Sequence, residues 1–102
     1  MRIFIVGIFL LLSTNQVCAQ TIYGPGNKPC SELVKAWEGG SFFDKNLFDA
    51  WVTGFVGGAN YASQQAVHAD ETEFGMELLK FCKSNLSAKV VEAVMNIYEA
   101  LN

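Results

Sequence analysis

Two cysteines, Cys30 and Cys82, constrain this chain more than any other feature of its sequence. Each stands on the apolar side of an amphipathic segment. Cys30, Leu33, Val34 and Trp37 recur at helical spacing, and Phe74, Leu78, Phe81 and Cys82 do the same. A bond between the two sulfurs closes a loop of about fifty residues, for which the chain-entropy estimate is on the order of 4 kcal/mol. It would pin two helices whose buried sides already face one another. Two free thiols or a metal site are the alternatives. For a metal, no His or further Cys stands at ligand spacing.

Whether the thiols pair depends on the compartment, and the start of the chain bears on that. Arg2 supplies a positive charge, and Ile3 to Leu12 is an apolar run broken only by Gly7. Ser13 to Gln16 is polar, and Val17-Cys18-Ala19 places small or medium residues before Gln20. This order reads as a secretory signal peptide over residues 1–19, cleaved near Ala19. The apolar run is about half the roughly twenty residues a membrane span needs. A third cysteine, Cys18, leaves with the leader. Val17 before it and Asn15 three places upstream do not fit a lipidation site. The mature part is therefore expected in the periplasm or outside the cell, where disulfides persist, with no membrane association.

Removing the leader leaves 83 residues, enough for one domain. A core of that size gives thin stability by itself, so a covalent staple helps. Those residues hold six lysines, no arginine and ten acids, a net charge of −4 with His68 neutral. Such a chain has no basic footprint for nucleic acid. Without arginine it also lacks the fork that grips phosphate or carboxylate in a bidentate manner.

Residues 20–29 hold Gly24, Pro25, Gly26 and Pro29 and are expected to form an extended lead-in. The first helix starts at Cys30 and stops at Gly39-Gly40. The second is expected from Phe43 to Ala66, with a bulky stripe of Leu47, Phe48, Trp51, Val52 and Phe55. Beside it runs a ladder of small residues: Ala50, Gly54, Gly58, Ala62 and Ala66. Glycine inside a helix costs about 1 kcal/mol relative to alanine. The ladder therefore predicts close approach of another element, within the domain or in a dimer. Asn60, Gln64 and Gln65 argue against a lipid setting for it. Asp70 caps the third helix, with Glu73 at capping-box spacing and Lys80 and Lys83 toward the far end. Asn85 ends it. Ser87 is expected to cap a fourth helix in which Val90, Val91, Val94, Ile97, Tyr98 and Leu101 face inward. No strand-period alternation occurs. The expected fold is all-α: a small four-helix domain over residues 30–102, stapled by one disulfide.

Catalytic chemistry is sparse. His68 is the only histidine and falls in a short polar connection, so nucleophile and base pairs are lacking. Gly24 and Gly26 precede no phosphate-binding Lys-Ser/Thr pair. Asn85-Leu86-Ser87 fits a glycosylation sequon and fits capping equally well. The expectation is a protein that is not an enzyme and takes no cofactor or metal. Its surplus is aromatic: eleven aromatic residues among the 83, most of them core. Phe42 and Phe43 follow Gly39-Gly40-Ser41, and adjacent residues do not readily share one core. They predict an apolar patch, exposed or covered by a partner. Trp37, Phe42, Phe43, Phe48, Trp51 and Phe55 are the candidate surface for protein clients or a self-dimer.

Several of these residues form a recognisable pattern. Cys30, Glu32 and Leu33 open it, Trp51-Val52-Thr53-Gly54-Phe55 sits in the middle, and Phe81-Cys82 leads into Val90 to Tyr98. With its size, export and single long disulfide, the chain resembles the small periplasmic acid-stress chaperones of the HdeA/HdeB type over most of residues 27–101. That resemblance implies a helical dimer near neutral pH that loosens in acid and holds aggregating clients on apolar surface. The charge count is compatible with it. In strong acid the ten carboxylates neutralise and the net charge moves from −4 toward about +7. The Gly-rich second helix departs from the family and suggests a different interface. The last two helices also resemble exported immunity proteins of the Tai type, which neutralise a secreted amidase toxin; those commonly carry additional cysteines.

Overall fold

A computed structural model describes residues 21–64 and 70–101. The expected leader and His68 lie outside the described residues. Four helices follow a short 3₁₀ turn at Gly24–Asn27: α1 (Cys30–Gly39), α2 (Phe42–Ser63), α3 (Glu71–Ser84) and α4 (Val90–Leu101). No strand occurs among the described residues, and Pro29 and Lys89 form one isolated antiparallel bridge. The all-α, four-helix class is as the sequence predicts.

The helix ends follow local chemistry. Gly40 N–H donates to the Ala36 carbonyl and closes α1. A Cβ on Gly40 would come within 2.7 Å of the Ala36 backbone, so the turn into α2 requires glycine. Ser41 Oγ accepts from Asp44 N–H at 3.1 Å, which starts α2 one residue earlier than expected. Gln64 takes the left-handed conformation at φ 58° and ends α2 at Ser63, short of the expected Ala66. Asp70 Oδ1 accepts from Glu73 N–H at 2.8 Å, the predicted cap of α3. Asn85 Nδ2 donates to the Phe81 carbonyl at the other end.

Two expectations are corrected. The lead-in is not extended throughout: Pro25 favours the 3₁₀ turn, and Pro25 and Gly26 are buried in it. Ser87 does not cap the last helix. Val90 N–H donates to the Lys28 carbonyl, and Ala88 N–H closes a turn onto Asn85. Residues 85–89 are thereby held out of the helix. It starts at Val90, where Glu92 Oε1 accepts from Lys89 N–H at 2.8 Å.

Cys30 and Cys82 form a disulfide, with their α-carbons 4.9 Å apart. Around it Leu33 and Ala36 of α1 meet Leu78 of α3 and Val90, Ala93 and Val94 of α4 in one core. Phe48 and Val52 of α2 and Phe74 of α3 complete it. Full burial of a side chain such as Leu33 or Leu78 stabilises by roughly 1.5–3 kcal/mol. No charged or polar residue is buried among the described residues. The first N–H groups of α1 are satisfied across the staple: Cys30 donates to the Ala88 carbonyl at 2.7 Å and Ser31 to that of Leu86 at 3.0 Å. The lead-in, the start of α1, the end of α3 and the start of α4 thus form one tightly tied side. By contrast, the backbones of α2 and α3 stay apart.

Candidate functional site

The gap between α2 and α3 is an open cleft of about 650 Å³. Val52, Val56, Trp37, Phe74 and Leu79 give it an apolar floor. Lys45, Asp49, Asp70 and Glu71 stand among its polar lining. Lys45 and Asp49 pair at 3.6 Å, both exposed, so the pair contributes little to stability. Met76, also lining the cleft, is 66% exposed. Trp37 Nε1 is buried with no hydrogen-bond partner, an arrangement that costs about 1–3 kcal/mol.

The residues singled out from the sequence are distributed unevenly. Phe42 and Phe43 are 79% and 72% exposed, at the entry to α2 one turn before the cleft-lining Lys45. Trp37 is half-buried against the core and also lines the cleft. Phe48 does not belong to a surface: it is 4% exposed, because its position on α2 points it into the core. Trp51 is occupied within the chain. Its indole N–H donates to the Tyr23 carbonyl at 2.9 Å, and its ring stacks on Phe55 with centroids 5.0 Å apart. That ring lies over Gly26, where a Cβ would overlap it. Trp51 therefore clamps the lead-in with Phe55 stacked on it, which takes both rings largely out of a client surface.

For the small-residue ladder, the expectation of packing within the domain is corrected, and the dimer alternative is untouched. Ala50, Gly54, Gly58 and Ala62 are exposed. A Cβ on Gly54, Gly57 or Gly58 would meet nothing within 4 Å. Among the described residues no other element approaches them, so packing between the described helices does not account for the glycines. Leu47, a member of the bulky stripe, is 43% exposed because it lies on the same outward side.

Two features escaped the sequence reading. Tyr61 is 88% exposed at the far end of α2. Nearby, Tyr98 O–H donates to Asn60 Oδ1 at 2.8 Å and ties the end of α2 to α4. The Asn60–Tyr98 pair carries no local signal, since the partners are 38 residues apart. Tyr61 could have been found by following the outward face of α2 past the glycines.

No helix among the described residues is long and apolar enough to cross a membrane. No group of three metal-ligating side chains is found among the described residues. Compared with known proteins, the chain matches no family model, no curated protein and no solved structure.

Proposed function

We propose that this chain is an exported, non-enzymatic protein that binds partly unfolded proteins through apolar side chains, with acid as the trigger. The observation that carries this reading is the exposed Phe42–Phe43 pair at the start of α2, on a chain that also holds a cleft with an apolar floor. Large apolar side chains left in water favour contact with other apolar surface. The tied side and the open side suit such a task. In strong acid a chain of this composition loses its negative charge, and lysine repulsion loosens packing. The α1–α3 disulfide limits the expansion, while α2 and α3, already apart, can separate further. The resemblance to HdeA/HdeB-type chaperones supports the same reading.

A second reading is a folded inhibitor that recognises a secreted enzyme, as exported immunity proteins do. The preformed cleft with polar groups around an apolar floor favours it. The two differ in sign. The oxidised chain from Gln20 onward should suppress light scattering by an acid-sensitive enzyme at about pH 2–3. F42S/F43S should lose at least half of that effect. No suppression by the unsubstituted chain removes the chaperone reading. Binding that is strongest at neutral pH and fades as near-UV dichroism is lost supports the inhibitor.

A further inference from the structure

The cleft between α2 and α3 is opened from both of its walls. Gly57 on α2 and Gly75 on α3 line it, and a Cβ on either would meet nothing within 4 Å. Each lies inside a helix, where alanine would be the better helix former. The room they leave runs along the apolar floor of Val52, Val56, Phe74 and Leu79. Trp37 lines the same cleft, and its indole N–H is buried with no acceptor among the described residues. Charge at the rim is one-sided. Lys45 is matched by Asp49 at 3.6 Å. Asp70 and Glu71, where α3 begins, line the cleft and enter no ion pair among the described residues. The α3 dipole offsets part of their charge, and the net negative charge of the chain adds to it.

We propose that this cleft binds a small amphiphilic cation. Its ammonium group sits at Asp70 and Glu71, and its apolar chain lies along the floor toward Leu79. Eight residues separate Glu71 from Leu79, about 12 Å along α3, so an unbranched chain of about ten carbons spans the floor. An anionic amphiphile would set like charge against the two carboxylates.

Size separates this occupant from a protein helix. A helix with its side chains is about 10–12 Å across, so ten residues of one take up on the order of 1,200–1,700 Å³. The cleft holds about 650 Å³. That lies within the roughly 300–1,000 Å³ of small-molecule sites, which likewise combine an apolar lining with a few polar groups. The site belongs to the folded protein at neutral pH and needs neither acid nor a client.

Calorimetric titration of the oxidised chain from Gln20 with n-decylammonium at neutral pH should give a one-to-one complex, with Kd on the order of 10–100 µM. Decanoate, of the same chain length and opposite charge, should bind at least about tenfold more weakly. Gly75→Leu is the decisive variant. A leucine there has open space, so Tm should be unchanged or higher. Affinity for decylammonium, however, should fall at least about tenfold, because the leucine takes the ligand's place. Gly57→Leu fills the opposite wall and should do the same, so the test survives if one leucine disturbs folding. Gly54→Leu, outside the cleft, should leave affinity unchanged, as should Phe42→Ser with Phe43→Ser. Glu71→Gln should narrow the preference for decylammonium over decanoate by about three- to fivefold. No binding of decylammonium up to about 1 mM overturns the proposal. So does decanoate binding equally well, or affinity indifferent to both cleft leucines. A basic amphipathic peptide that binds where decylammonium does not would assign the cleft to a protein partner instead.

Discussion

The lead-in and the outward face of α2 are both rich in glycine, and they put it to opposite uses. At the lead-in, Gly26 is buried under the Trp51 ring with no room for a side chain. On α2, Gly54, Gly57 and Gly58 face open space. The first region is tied by an indole hydrogen bond, the Pro29–Lys89 bridge and the disulfide close by. The second has nothing within 4 Å of its glycine positions among the described residues. A glycine therefore marks close approach only when something is there to approach.

The comparison can be broken first at its strongest tie. Cys30→Ser with Cys82→Ser should cost about 2–5 kcal/mol, read as a lower urea midpoint. An unchanged midpoint would mean that packing alone holds α1 to α3. Next, Gly26→Ala should destabilise by about 1–3 kcal/mol, because the Trp51 ring must leave its place. Tryptophan fluorescence should shift as the ring becomes wetter. A neutral result would show that the lead-in is not clamped. The smallest effect has the opposite sign. Gly54→Ala should stabilise by about 0.5–1 kcal/mol, since alanine is the better helix former and the site is open. Measured in dilute solution, a loss instead of a gain would mean that something already packs on Gly54 there.

Much of the fold was legible because its signals are local or periodic. Asp70 and Glu73 stand three apart, and their bond lies within one helical turn. Val90, Val94 and Ile97 follow the helical repeat and are buried. The cap of α4 was misread because its start is fixed by the Lys28 carbonyl, far away in sequence. The candidate surface was half legible. Phe42 and Phe43 stood out as adjacent aromatics after a glycine break, and they are exposed. Phe48 and Trp51 were grouped with them by residue type, and only their direction from α2 separates the buried ring from the clamped one.

By itself the sequence determined the helices, most of their ends and the pairing of Cys30 with Cys82. Capping, breakers and apolar period act within a few residues, and two thiols on inward faces allow one partner each. Only the tertiary structure decided that α2 and α3 stand apart over a cleft, that Trp51 closes over Gly26, and that the α2 glycines remain uncovered. Those outcomes depend on where whole helices lie relative to one another. Many weak side-chain contacts set that placement together, and no short stretch of sequence encodes it.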